Sequence, residues 1–381
     1  MEATSPGYSK ATGQAQALRG GGTPPVREAL LQARQQTLEL ADVYASALRG
    51  QQMRVPYAPE FNPPLWEWGH VAWFQDWWIA RNRQRSLGVR CEPAHERAPS
   101  LLPGADRWYD SSRVEHRSRW DLQLPDALAT REYLAATQAQ TLALLDGLGA
   151  DARDEDLYFF RLVALHEVMH CEAAIYMGRL LGFEVPDARS AEPGNGDGPA
   201  SLSIPAQRFR LGADEAGFAF DNELGAHEVA LQAFEIDARP VSWARFMPFV
   251  RAGGCEPRAG WAEAAARDPA APAVHLSALD AEAWCRWAGR RLPTEAQWEC
   301  AALQAPGFQW GEVWEWTASS FEPYPGFTPH PYRDYSQPWF GSRRVLRGAC
   351  RATSPWLAHP RYRNFFEPQR TDIFAGFRSC A

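Results

Sequence analysis

Two histidines, His166 and His170, stand four residues apart in Leu165-His166-Glu167-Val168-Met169-His170-Cys171-Glu172. The surrounding pattern is helical, and on an α-helix this spacing puts both imidazoles on one face, one turn apart. Two neutral ring nitrogens held that way can take adjacent positions on one metal ion. Histidine pairs also occur on ordinary helix surfaces and in cores, so the rest of the chain has to decide. A third candidate is His70, in Leu65-Trp66-Glu67-Trp68-Gly69-His70-Val71-Ala72-Trp73-Phe74-Gln75-Asp76-Trp77-Trp78. Its aromatic neighbours suit either a packed core histidine or the lining of a buried pocket. Spacing alone equally allows a zinc hydrolase of the His-Glu-x-x-His type, with Glu167 as general base. Against that, the third ligand candidate lies 96 residues upstream (70 to 166) instead of shortly downstream. Glu167 and Glu172 therefore read as supporting, structural or solvated residues.

The elements that must position these histidines are helical. Residues 1–24 are rich in Gly, Ser, Thr and Ala and read as a disordered leader. From Val26 to Arg49, Leu30, Leu31, Leu38, Leu40, Val43 and Leu48 fall near a 3.6-residue repeat. The segment with His70 opens after Pro63-Pro64, as a helix start does. Residues 85–125 are loop-rich, and Arg107, Arg113, Arg117 and Arg119 there read as a solvated basic loop or an anion site. Asp126 to Leu148 and Asp154 to Leu181 are long amphipathic helices ended by glycines. Residues 25–187 thus read as a four-helix bundle whose interior can house a metal.

A polar Gly/Pro linker is expected over 188–203, and a second domain over 204–381. Short strand-like runs (Phe209–Gly212 and Val229–Ile236) and two helices (Ser242–Gly253 and Ser277–Ala288) give it an α+β texture without repeats.

At 381 residues, two domains are the default. A net charge of −7 argues against a nucleic-acid surface. No apolar run approaches a membrane span and no signal-peptide core opens the chain, so a cytoplasmic protein is expected. Seven scattered cysteines without a CxxC point to reduced thiols. Seventeen tryptophans are roughly three times the average usage. Most will fill cores, but tryptophan faces also hold cations.

The second half contains Trp284-Cys285-Arg286-Trp287-Ala288-Gly289-Arg290-Arg291-Leu292-Pro293-Thr294-Glu295-Ala296-Gln297-Trp298-Glu299, then Gly311-Glu312-Val313-Trp314-Glu315-Trp316-Thr317, Val345-Leu346-Arg347-Gly348 and Phe374-Ala375-Gly376-Phe377-Arg378. In this order they resemble the signature of the formylglycine-generating-enzyme-like (sulfatase-modifying factor) domain, which implies a C-type-lectin-like fold. The formylglycine-generating enzymes use a close pair of late cysteines to bind copper. After Cys300 only Cys350 and Cys380 remain, 30 residues apart, so sulfatase activation is rejected. The first half resembles the DinB-like bundle, whose members carry three metal-binding histidines.

Together the two halves resemble the sulfoxide synthases of ergothioneine and ovothiol biosynthesis and the related selenoneine synthases. The resemblance implies that His70, His166 and His170 hold a non-haem Fe(2+), which leaves facing positions open for O2 and substrate. It implies joining of a sulfur or selenium donor to imidazole C2 of a histidine, in two of these branches the trimethylated histidine hercynine. Aromatic faces and a carboxylate suit a trimethylammonium group, and Trp314, Trp316, Tyr324, Phe327, Tyr332 and Tyr335 are candidates. Tyr332 and Tyr335 are also the candidate proton donors.

In mycobacterial-type synthases Trp-Asp follows Arg-Asn, and the acid helps bind γ-glutamylcysteine. Here Arg363-Asn364 is followed by Phe365-Phe366. The arginines that would meet the donor's carboxylates are only loosely matched, at Arg113, Arg117 and Arg119. A neutral seleno- or thiosugar donor is therefore expected. The alternatives are a synthase using γ-glutamylcysteine or cysteine, a zinc-dependent DinB-like thiol transferase or hydrolase, and a lectin-like module with a vestigial bundle.

Overall fold

The computed structural model of the protein describes residues 6–149, 151–186, 200–214 and 216–381. Helix α1 spans Pro6–Gly20 and α2 spans Thr23–Ala47. α3 (Pro64–Trp78), the short α4 (Ala105–Tyr109), α5 (Ala127–Asp146) and α6 (Asp154–Leu180) follow. The helices α2, α3, α5 and α6 are the four expected of the bundle. α3 starts on Pro64, whose missing N–H is no loss at a helix's first position. Nearly all of its residues are buried, because the bundle surrounds it. α5 is capped by Asp126, which accepts the Ala129 N–H at 2.9 Å. α6 opens on Asp154, Glu155 and Asp156, carboxylates that complement the positive end of the helix dipole.

One guanidinium ties all four helices together. Arg34, on α2, donates to both oxygens of Glu167 on α6, at 2.6 and 3.1 Å. It also donates to Gln75 Oε1 on α3 at 2.6 Å and to the Leu134 carbonyl on α5. Thr37 adds a hydrogen bond to Glu167 at 2.8 Å.

Residues 6–20 are not a disordered leader. The end of α1 docks between the halves of the molecule: Leu18 is buried and the Phe218 N–H donates to the Arg19 carbonyl at 2.8 Å. Arg19 makes a bidentate pair with the fully buried Glu223, at 2.6 and 2.9 Å. Composition alone hid this, because the partner lies 204 residues away. The expected linker lies outside the described residues up to 199, and from Ser201 the chain already forms a strand.

In the second half, β1 (Ser201–Ile204) pairs antiparallel with β4 (Phe234–Asp237), and β2 (Gln207–Leu211) with β3 (His227–Leu231). The run read as one strand, Val229–Ile236, is thus two strands with different partners. Helices α7 (Trp243–Arg251), α8 (Trp261–Arg267), α9 (Ala278–Trp287) and α10 (Glu295–Gln304) follow. α8 and α10 were not foreseen, although α10 carries a capping box in Thr294 and Gln297. β5 (Trp314–Ser320), β6 (Arg344–Gly348), β7 (Asn364–Phe366) and β8 (Ala375–Gly376) form a sheet in the order β7-β6-β5-β8. The seven cysteines are free thiols, as expected. No described helix is long and apolar enough to cross a membrane.

Arg19→Ala strands the Glu223 carboxylate in the interior. A loss of about 3–5 kcal/mol is expected in denaturant unfolding, the usual cost of removing one partner of a buried pair.

Candidate metal centre

α3 and α6 cross so that His70, His166 and His170 converge, with one ligand atom of each within 4.8 Å of the others. Two of the rings are oriented from behind. His70 Nδ1 faces the Tyr109 carbonyl at 2.8 Å, and a carbonyl only accepts, so Nδ1 carries the proton. His170 Nδ1 likewise donates to Glu67 Oε2 at 2.5 Å. In its neutral form each ring then presents an unprotonated Nε2. His170 Nε2 lies 3.1 Å from His166 Nε2. His166 is stacked on Phe74, with ring centroids 3.6 Å apart.

Burial pulls the His70 pKa down to about 3 and that of His166 well below the ordinary imidazole range. Neutral imidazoles placed in this way fit a divalent cation with nitrogen affinity. Gly69 lets α4 supply the Tyr109 carbonyl, since a Cβ there would stand 2.1 Å from the Tyr109 ring.

The sequence pattern alone assigns Glu67 no role. Burial opposes its ionisation, yet His170, Asn62 and His70 together bring its pKa down to about 2. It is a carboxylate hydrogen-bonded to one histidine of the candidate site. One signal could have found it: Glu67 and His70 are three residues apart, on one face of one helix.

Glu167 faces the other way. Both oxygens are taken by Arg34, so it is no general base at this metal site. Glu172 instead faces a cavity of about 360 Å³ that opens from His166 and His170. It accepts from Trp314 Nε1 at 2.7 Å and from the Tyr176 hydroxyl. Tyr332, Tyr335, Tyr362, Phe365 and Phe366 continue the cavity wall. Tyr332 sits 6.1 Å from the His166 ring, centroid to centroid. The Tyr335 hydroxyl is 3.0 Å from that of Tyr362.

Other candidates fall outside the cavity. Trp316 is fully buried core, its Nε1 donating to the Leu276 carbonyl at 2.7 Å. Tyr324 lies under the Arg363 guanidinium, and Phe327 packs edge-on against Phe340. The three arginines are also elsewhere. Arg113 is 78% exposed and pairs with Asp110, Arg117 lies over Tyr57, and Arg119 lies over Trp66. Sequence proximity suggested a cluster, but the three have different partners, Asp110, Tyr57 and Trp66.

Glu67→Gln keeps the shape and removes the charge. Metal affinity is expected to fall on the order of 10–100-fold, read by titrating metal-free protein against a competing chelator.

Residues 29–174 match the DinB superfamily, and residues 187–311 and 308–381 match the sulfatase-modifying factor enzyme 1-like domain. The chain is 30% identical to a hercynine oxygenase of Mycolicibacterium thermoresistibile, over 92% of this chain and 93% of that protein. It is 31% identical to a hercynine oxygenase of Mycobacterium tuberculosis, over 92% and 96% respectively. A formylglycine-generating enzyme of Streptomyces coelicolor is 28% identical and aligns with 46% of this chain and 86% of its own length. Both halves of the chain are covered by the first two relatives, and the chain belongs to the hercynine oxygenase family of oxygen-dependent oxidoreductases.

Proposed function

We propose that the chain is a cytoplasmic non-haem Fe(2+) synthase that uses O2 to form a C–Se or C–S bond at imidazole C2 of hercynine. The donor in this reading is a neutral seleno- or thiosugar. The observation that carries it is the three-histidine cluster opening onto an aromatic cavity with a carboxylate on its wall. Iron bound there supplies O2 activation and electron transfer. In the overall reaction the C2–H and Se–H (or S–H) bonds are lost and a C–Se (or C–S) bond forms. One oxygen atom of O2 leaves as water with those two hydrogens, and the other ends on the chalcogen.

The side chains supply binding and protons. A trimethylammonium group donates no hydrogen bonds, and the Glu172 carboxylate beside Trp314 and Tyr176 gives it charge and π faces. Burial raises the Tyr332 phenol pKa above its ordinary value, so at neutral pH it holds a proton beside His166. Tyr335 is the second candidate, and its hydroxyl is already engaged with Tyr362.

The donor reading rests on what the wall offers an anion. Among the lining residues Arg370 is the one arginine or lysine, and Asp372 holds it with two bonds of 2.6 Å. Phe365 and Phe366 bring no charge. A donor with two carboxylates meets Arg370 as its one lining cation, whereas a neutral sugar needs hydrogen-bond partners but no counter-charge. The Arg34 grip on Glu167 disfavours the zinc hydrolase alternative.

The test is to load iron, bind hercynine without oxygen, then admit O2 with a panel of donors and read products by mass. Bond formation with the seleno- or thiosugar is expected. Efficient turnover of γ-glutamylcysteine, with none of the sugar, would overturn the donor assignment. Tyr332→Phe should lower product formation on the order of 10²-fold while anaerobic hercynine binding persists.

A further inference from the structure

Arg119, expected at an anion subsite, has its guanidinium committed elsewhere. Nη1 donates to Asn62 Oδ1 at 2.7 Å, and Nε and Nη2 donate to the Val114 carbonyl at 3.3 and 3.1 Å. The guanidinium carbon lies 3.8 Å from the ring centroid of Trp66. Two of these three partners, Asn62 and Trp66, lead to the histidines of the candidate site. Asn62 Nδ2 donates to Glu67 Oε1 at 2.7 Å, and Glu67 Oε2 takes the His170 Nδ1 proton at 2.5 Å. Trp66 stacks on His70, with centroids 4.8 Å apart and planes within 8°.

The chemistry of the middle link is restrictive. A guanidinium only donates and a carboxylate only accepts. The group between them must accept on one side and donate on the other, which a side-chain amide does in one fixed orientation. A permanent cation thus stands at the end of a three-bond chain to His170 and, through an indole, behind His70.

We propose that Arg119 is a positioning residue for two of the three histidines, acting on His170 through Asn62 and Glu67 and on His70 through Trp66. This rests on reading the three histidines as a metal site. The segment around Arg119 then sets how tightly and in what geometry the ion is held, without touching it.

The experiment uses the full chain, stripped of metal and titrated with Co(II) alone. Competition with a chelator gives the affinity, and the d–d absorption bands report the ligand geometry. Arg119→Gln and Asn62→Ala are expected to weaken Co(II) binding on the order of 10–100-fold and to shift the bands. Asn62→Asp is expected to weaken it further than Asn62→Ala, because it keeps an acceptor for Arg119 but sets a carboxylate against Glu67. A merely structural Asn62 gives the opposite ranking, since Asp is nearly isosteric. Melting of the metal-free variants separates loss of fold, and the Asn62 pair carries the test if Arg119→Gln does not fold. Wild-type affinity and spectra in all variants, or Asp milder than Ala, would overturn the proposal. A wild-type chain that binds no Co(II) overturns the metal site itself and this inference with it.

Discussion

The Arg34 guanidinium joins all four helices of the bundle at one point. Its donors reach Glu167, Gln75 and the Leu134 carbonyl, one on each of the other three helices. Gln75 lies five residues after His70, and Glu167 is next to His166. Fixing those two partners fixes the offset of α3 against α6, and that offset brings the imidazoles together. A charge this deep is tolerable only with every strong acceptor in place. The same contact removes Glu167 from the chemistry, although its position in the motif invites a catalytic role.

The second half of the molecule completes what the bundle leaves open. Trp314, on β5, reaches across to Glu172, on α6, and Tyr176 donates to the same oxygen. Tyr332 packs edge-on against Phe74, at 4.9 Å between ring centroids, beyond the face that Phe74 gives to His166. On the other flank, Tyr158 of α6 bonds His330 at 3.0 Å, two residues before Tyr332. The loop-rich fold is therefore anchored to the helix that carries two of the histidines, on both sides of the cavity.

Much of this was legible. The helical repeats placed α2, α5 and α6 to within a few residues, and the aromatic helix after Pro63-Pro64 placed His70. Local spacing brought His166 and His170 to one face, and the three histidines do meet. What was missed depends on distant partners. Residues 6–20 look unstructured by composition, whereas Arg19, near the end of their helix, is held by Glu223 and Phe218. Glu67 acquires its role from His170, 103 residues on. The basic loop shows the converse error, since closeness in sequence made Arg113, Arg117 and Arg119 look like one site. α10 was hidden in plain view, its capping box read only as part of a domain signature.

The position of β7 has a consequence for how this scaffold can change. β7 is an edge strand of three residues, hydrogen-bonded only to β6, and it presents Phe365 and Phe366 to the cavity. The histidines sit on helices locked by Arg34, where a shift of one residue would scatter the cluster. β7 is held by hydrogen bonds on one side, and its Phe365 stacks on Phe321 with ring centroids 4.0 Å apart. The cavity wall is thus shared between the two halves, with α6 on one side and β7 on the other. Substitutions at Phe365 and Phe366 alter the cavity wall on this edge strand, away from the Arg34 hub that holds α3 against α6.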